Sequence, residues 1–376
     1  MIYLDNSASS ISKPDEVLRA VAVACRHFTA NPGRSSHPLA IRGAKMVETT
    51  RKKVADYLNL KNGNIIFTDN CTGALNLAIL GLNKRPPFHI VTTVFEHNAL
   101  LRPIYHLVRQ RLVTVSFAKP KNALSLRPED VISLIRPDTA LVAVGHISNL
   151  TGSVAPIYAI GKECHARGIT FLVDGAQSVG FCPVDMEKNN IDMLAFSPHK
   201  GLRSITGVGV LAVKNTVSLS PVKFGGTGNS SARKIQPADM PDGFEAGTLP
   251  SVAICALCSA VVHKNKFGES ERQKTVALSR YFYEKIKNIR GVTVYCENAD
   301  NGIIPFNVGE LSSVEVSGIL SSQYGICTRA GLHCAPLIHE FLGTSSRGAV
   351  RVSIGCDNTI EQLDFTLRAL AEIAEN

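Results

Sequence analysis

Thr170-Phe-Leu-Val-Asp174-Gly-Ala-Gln177 and, further on, Met193-Leu-Ala-Phe-Ser197-Pro-His-Lys200-Gly201 are the two segments whose reading decides the fold. Each is a short apolar run that ends abruptly in polar side chains and glycine, the form of a buried strand handing its last residues to a loop. Similar runs lie upstream at Ile65–Thr68, His89–Thr93, Val113–Phe117 and Ala140–Gly145, most of them followed by a helical pattern. This rhythm, from about Asn64 to about Val213, predicts βαβ units and an α/β fold with a mainly parallel sheet flanked by helices. Ligands gather at the carboxyl ends of such strands, so Asp174–Gln177 and Ser197–Lys200 are expected to face one crevice.

Outward from this region, Pro14 stands where a first helical turn tolerates proline, and Asp15 to Phe28 carries apolar residues on one face at helical spacing. A longer helix is expected from about His37 to Asn59. Beyond about Lys264 the pattern changes to a long charged helix, strands near Val292–Tyr295 and Ile303–Val308, and a last helix from Thr359 to Glu372. That shift predicts a smaller α+β domain. A chain of 376 residues exceeds the usual single core. The expected division is a large α/β domain over 15–262 and a small α+β domain of 1–14 plus 263–376, which carries Cys334. The stretch from Lys223 to Gly243, rich in Gly, Ser and Pro, is longer than most connections and is expected to be functional or mobile.

The formal net charge is +9, yet basic residues are interspersed with acidic ones and no run of five or more like charges occurs. Nucleic-acid binding is therefore not expected, whereas an anionic small molecule or an acidic partner suits the balance. Ten cysteines without a framework spacing, and no apolar leader, predict reduced thiols in a soluble cytoplasmic protein. The apolar stretch near Ser251 to Val262 is too short to cross a bilayer, so no membrane association is expected.

A lysine beside a histidine after an apolar strand is chemically suggestive, because desolvation or a nearby cation lowers an amine's pKa and makes it a Schiff-base nucleophile. Pyridoxal phosphate needs such a lysine and also a carboxylate on its pyridine nitrogen, since the protonated ring is the electron sink. Lys200 and Asp174 fit that pair. Taken singly, a lysine is ordinarily a solvated charge and a strand-end aspartate a helix cap. An arginine inside the apolar run Val350-Arg-Val-Ser353 is harder to dismiss, because a buried unpaired charge is expensive.

At this point the chain resembles the class V aminotransferase superfamily of fold type I pyridoxal-phosphate enzymes, and within it the cysteine desulfurases. The resemblance is carried, in order and spacing, by Tyr3-Leu-Asp-Asn-Ser-Ala-Ser9, Phe95-Glu-His-Asn98, His146-Ile-Ser-Asn149, Val173-Asp-Gly-Ala-Gln177, Ser197-Pro-His-Lys200, Phe244-Glu-Ala-Gly-Thr248, Arg329-Ala-Gly-Leu-His-Cys334 and Val350-Arg-Val-Ser353. It implies that Lys200 holds the cofactor, Asp174 pairs with the ring nitrogen, Gln177 bonds the ring hydroxyl and His97 covers the ring face. For the phosphate it implies Thr72 and the Cys71 backbone at a helix start, a position suited to anions, with Ser197 and His199 alongside. Thr248 would reach the phosphate of a second subunit, implying a homodimer with shared active sites. Arg351 would grip the substrate carboxylate with Asn149 and Arg329 assisting, and Cys334 would take the sulfur of L-cysteine as a persulfide, leaving L-alanine. Arg329 and His333 make the Cys334 segment electropositive, which favours the thiolate that the reaction needs. The short interval from Cys334 to Arg351 resembles the second desulfurase group, whose members hand sulfur to an acceptor protein for iron–sulfur clusters, thiolated cofactors or selenium metabolism.

Two positions depart from the family pattern: Cys71, where relatives commonly have Ala or Thr, and Asp357, where Tyr is frequent. Other signals read as ordinary structure. Cys255 and Cys258 lie in an apolar helical stretch with no second pair, Gly225-Gly-Thr-Gly228 lacks the lysine of a nucleotide loop, and Gly207-Val-Gly209 lacks a full dinucleotide fingerprint. No metal and no nicotinamide cofactor are expected. The alternatives are a selenocysteine lyase (L-selenocysteine needs the same site without an essential thiol), a transaminase of the same superfamily, and a non-catalytic sulfur carrier or scaffold. A barrel is the rival fold.

Overall fold

The apolar runs become the strands of one sheet in a computed structural model of the chain, which describes residues 1–32, 36–121, 124–228 and 231–375. Strand β1 (Ile2–Tyr3) and helices α1 (Asp15–His27) and α2 (Pro38–Tyr57) come first. Then follow β2 (Gly63–Thr68), α3 (Cys71–Leu80), β3 (Phe88–Thr93), α4 (Asn98–Arg109), β4 (Val113–Ala118), α5 (Pro128–Ile132), β5 (Thr139–Gly145), α6 (Ile157–Ala166), β6 (Thr170–Asp174), β7 (Met193–Phe196) and β8 (Gly209–Lys214). The remainder is α7 (Ser251–Ile286), β9 (Val292–Val294), β10 (Ile303–Val308), α8 (Ser313–Tyr324), β11 (Ile326–Cys327), α9 (Pro336–Leu342), β12 (Val350–Ser353) and α10 (Ile360–Glu375).

The main sheet has seven strands in the order β2-β8-β7-β6-β5-β3-β4. Every pairing from β7 to β4 is parallel, and β8 runs antiparallel to both of its neighbours. The open sheet excludes the barrel. Strand β8 has no place among the runs singled out in the sequence, although it is buried along nearly its whole length. Its first residue explains the presence of glycine: a Cβ on Gly209 would lie 2.1 Å from the Asn70 carbonyl carbon. Asn70 is the N-cap of α3, its Oδ1 accepting the Gly73 N–H at 3.0 Å, so β8 is the floor on which that helix starts.

Apolar clusters cover the two faces of the sheet, and a third, centred on Phe282, Phe306 and Leu370, is built from Ile2, Leu4 and residues from Leu278 onward among the described residues. Leu4 belongs there because β1 pairs with β11, while β12, β10 and β9 form a small antiparallel sheet. The expected charged helix after Lys264 and the apolar stretch at Ser251–Val262 turn out to be one 36-residue helix, α7. No proline interrupts it, and its apolar first half packs under α1 and α2 while its charged second half borders the third cluster. The boundary expected at 262/263 thus falls inside a continuous helix. Between Lys223 and Gly243 the described residues hold no strand and only the start of a single 3₁₀ turn, Asp242–Phe244; positions 229 and 230 lie outside the described residues. Among the described residues no helix is long and apolar enough to cross a membrane, and all ten cysteines are unpaired.

His339 is fully buried on α9, its Nδ1 2.7 Å from the Thr344 hydroxyl, and its ring stacks on that of His333 at 6.0 Å. Burial pulls its pKa down to about 4.

Two measurements test this frame. Gly209→Ala forces Asn70 and the start of α3 to shift, and urea unfolding is expected to show a loss of about 2 kcal/mol; native stability in that variant contradicts the close approach. His339 is a base with a depressed folded pKa, so the unfolded chain takes up the proton first. Its contribution is present above about 6.5 and is lost as pH falls toward about 4. The stability advantage of the native protein over His339→Gln should therefore grow by roughly 2 kcal/mol from the acid to the neutral end of that window, rather than stay flat.

Candidate active site

The carboxyl ends of β5, β6 and β7 open into a cavity of about 700 Å³, counting the space at its mouth. Its lining brings together Cys71, Thr72, His97, Asn149, Asp174, Gln177, Ser197, His199 and Lys200. Sheet register explains part of this, since Asp174 at the end of β6 sits opposite Gly145 of β5 and Ala195 of β7. Neither β6 nor β7 is followed directly by a helix, so the turns that carry Gln177 and Lys200 stay at the rim of the sheet.

Asp174 is buried, and its Oδ1 accepts the Ala176 N–H at 2.9 Å. The Cys71 thiol lies 3.6 Å from the same oxygen. Oδ2 has no partner among the described residues. Burial raises the carboxyl pKa, and the Ala176 N–H and the nearby Lys200 amine pull it back. Burial lowers the Lys200 amine below its ordinary value, with Arg351 and Arg329 adding to the effect against the attraction of Cys71 and Asp174. A neutral amine is thereby made more accessible near neutral pH.

The start of α3 forms the far end of the cavity. Asn70 takes the Gly73 N–H, and the Cys71 N–H donates to the Ser197 hydroxyl at 3.0 Å. The Thr72 N–H and hydroxyl are left without partners among the described residues at a helix N-terminus, where the macrodipole favours an anion. The contact that the departure at Cys71 left to backbone N–H alone is thus spent on Ser197, and the cysteine side chain turns to Asp174 instead. His199 completes this end, its pKa lowered to about 4, mainly by burial.

His97 caps α4, with Nδ1 accepting the Ala99 N–H at 3.0 Å, which leaves the ring proton on Nε2. Burial first, and then Lys200, Arg329, Arg102 and Arg351, lower its pKa to about 4, so it is neutral. Cys334 is exposed and borders an adjoining cavity that shares Thr72, His97 and Ala99 with the first. It is held on a tight turn: φ is 51° at His333 and 56° at Cys334, and the Cys334 carbonyl accepts the Asn98 N–H at 2.6 Å. Left-handed backbone at two successive non-glycine residues is costly and persists only where neighbours enforce it. Here the neighbours are Asn149, whose Nδ2 donates to the His333 carbonyl at 2.8 Å, and the Ala349 carbonyl, which accepts the His333 Nε2–H at 2.9 Å. The Arg329 guanidinium lies 3.7 Å from the Cys334 sulfur.

Arg351, fully buried, donates to the Asn149 carbonyl at 2.7 Å and to Asp5 Oδ1 at 2.6 Å, while its Nε has no partner. The fork is therefore shared between Asp5 and the strand-end loop. Gln177 turns its amide to the Ser7 carbonyl at 3.1 Å. Thr248 stands apart, exposed on a separate groove that includes Phe67, Gly73 and Phe244. Asp357, the other departure, pairs with Arg203 and does not meet Arg351 among the described contacts.

Three residues that sequence reasoning passed over belong to this arrangement. Glu96, inside the stretch Phe95–Asn98, is buried in the cavity wall, accepting from the Thr93 hydroxyl at 2.5 Å and the Gly145 N–H at 2.8 Å; burial pushes its pKa up to about 8. Asp5 is the ion-pair partner of Arg351. Glu245 takes the Arg51 fork and the Phe67 N–H, which pins the Thr248 segment to α2 and β2. All three lie within or beside quoted motifs, and a carboxylate set in an apolar run was the available signal.

An amine of lowered pKa, a carboxylate oxygen with no partner, a neutral histidine and free donors at a helix N-terminus line one cavity. That donor set fits a phosphorylated aromatic aldehyde with a basic ring nitrogen, such as pyridoxal phosphate.

The Aminotransferase class-V family model matches residues 2–365. A probable cysteine desulfurase of Methanothermobacter thermautotrophicus is 32% identical over 380 residues, covering 99% of this chain and 94% of the relative. A cysteine desulfurase of Haloferax volcanii is 30% identical, covering 98% of this chain and 88% of that protein. Among solved structures, an apo cysteine desulfurase from Thermococcus onnurineus superposes with a TM-score of 0.89 at 30% identity, over 100% of this chain and 94% of the other. One from Escherichia coli gives 0.86 at 26% identity, over 99% and 94%. With Lys200, Asp174 and His97 set around one cavity and Cys334 on the adjoining one, the chain belongs to the class V aminotransferase family and, within it, to the cysteine desulfurases.

Proposed function

We propose that this enzyme uses pyridoxal phosphate on Lys200 to take the sulfur of free L-cysteine onto Cys334, releasing L-alanine. The observation that carries this reading is the placement of an exposed thiol, beside a guanidinium, at a cavity that shares His97 with the cavity holding Lys200. When bound, the cofactor supplies the electron sink that makes the substrate α-proton removable.

The chain's own residues do the rest. Asp174, through Oδ2, would hold the ring nitrogen, and Thr72, Ser197 and His199 would receive the phosphate. The free Lys200 amine would accept the α-proton at Nζ, a role that burial favours by lowering its pKa. Arg351, exchanging its Asp5 contact for the substrate carboxylate, would orient the substrate with Asn149 alongside. The Cys334 thiolate, its sulfur 3.7 Å from the Arg329 guanidinium, attacks the substrate sulfur; a sulfur–sulfur bond forms as the carbon–sulfur bond breaks, the electron pair stays with the β-carbon, which takes a proton, and return of the α-proton from Lys200 completes alanine. His97, neutral with its proton on Nε2, covers the ring.

Exposed Thr248, on a segment fixed by the Arg51–Glu245 pair, serves the phosphate of a second copy in a homodimer. The persulfide then passes to an acceptor thiol, in the cytoplasm, for sulfur-containing cofactors. The separate third apolar cluster supports treating 15–262 and 1–14 plus 263–376 as two units.

The test is a single turnover. Protein incubated with pyridoxal phosphate should turn yellow, and addition of cysteine should yield one alanine and one persulfide, mapped to Cys334 by mass spectrometry. Cys334→Ala should keep the colour and lose both products, and Lys200→Ala should lose the colour. Alanine formed at the native rate by Cys334→Ala rejects the reading.

A further inference from the structure

Cys71 is the N1 residue of α3 and is buried, yet its thiol is used neither for packing alone nor for an anion. Its backbone N–H is committed to the Ser197 hydroxyl at 3.0 Å, which fixes the direction of the side chain. That side chain points across the cavity end to Asp174, with the sulfur 3.6 Å from Oδ1, within the range of a hydrogen bond donated by S–H. The Ala176 N–H reaches the same oxygen at 2.9 Å. Two donors on Oδ1 and none on Oδ2 hold the carboxylate in one rotation, with its unused oxygen left for a ligand. The other titratable groups beside Asp174 are Lys200 and Glu96, whose electrostatic influence reaches it without a hydrogen bond.

We propose that Cys71 is a positioning residue which, by donating its S–H to Asp174 Oδ1, aims Oδ2 at the cofactor's ring nitrogen and weakens Asp174 as a base. A donor to the ionised carboxylate stabilises that form, so Asp174 competes less strongly for the ring proton and the ring keeps its electron-withdrawing charge. The residue thereby tunes the electron sink from outside it, without touching phosphate or substrate. This goes beyond the proposed activity but rests on it for the cofactor.

Two measurements, one with the cofactor and one without, decide the matter. In protein loaded with pyridoxal phosphate, the pH midpoint of the change in its visible absorbance is compared among native, Cys71→Ala and Cys71→Ser. Loss of the donor lets Asp174 draw the ring proton toward itself, so the midpoint in Cys71→Ala should rise by about half a unit, about threefold in proton affinity. Cys71→Ser, which keeps a donor, should return toward the native midpoint. No shift in Cys71→Ala, or equal shifts in both variants, overturns the proposal in favour of packing alone. In the cofactor-free protein, the infrared S–H stretch of Cys71, isolated as native minus Cys71→Ala, should move to higher frequency in Asp174→Asn as the acceptor loses its charge. An unmoved band overturns the contact. Should the protein never colour with the cofactor, the functional reading fails by itself, and the infrared arm still decides the Cys71 contact.

Discussion

Arg351 is a charge buried where three distant pieces of the chain meet, and the arrangement of the active site follows from the need to satisfy it. Its guanidinium is tied to Asp5 near the N-terminus and to the Asn149 carbonyl beyond β5, while its own strand, β12, belongs to the small antiparallel sheet. A buried cation stripped of a partner is far more costly than one held in good geometry. These ties therefore bind the N-terminal segment, the rim of the main sheet and the strand beside the thiol loop into one unit. Asn149 extends the link from its other end by donating to the His333 carbonyl, next to Cys334. The Cys334 sulfur is thus placed relative to the sheet by a short relay of hydrogen bonds and not by the loop's own preferences.

Around that relay, burial sets the protonation states. His97 and His199 are pushed toward the neutral form and the Lys200 amine is lowered, while Asp174 and Glu96 are raised. A cavity with these tendencies carries less fixed charge than its residue list suggests. Interactions inside it are consequently weakly screened, and a charged ligand entering it would supply much of the missing complement.

Much of this was legible in the sequence, and the parts that were not have physical reasons. Strands β6 and β7 stood out because a fully buried parallel strand reads as an unbroken apolar run ending in polar residues. The start of α3 was recognisable as a helix N-terminus, but the division of labour there was not. Whether Cys71 offers its backbone or its thiol depends on the Ser197 hydroxyl, more than a hundred residues away. Strand β8 is an apolar run like the others, but its antiparallel insertion between β2 and β7 is a fact of topology that leaves no local mark. The continuity of α7 was hidden by a change of composition: its two halves face different surroundings, so one helix reads as two. Asp5 and Glu245 sit in recognisable motifs, yet a carboxylate's partner is fixed only by tertiary contacts.

Helix α7 carries a mechanical consequence. Thirty-six residues at 1.5 Å each make a rod of about 54 Å. Its first half is packed into the core beneath the main sheet and its second half into the core of the small sheet. A loop joining two such bodies would let them swing; an unbroken helix resists bending except at a kink, and this one has no proline to provide it. Any swing of one body against the other would have to bend that rod, so moving side chains and short loops is the less costly way to admit a ligand.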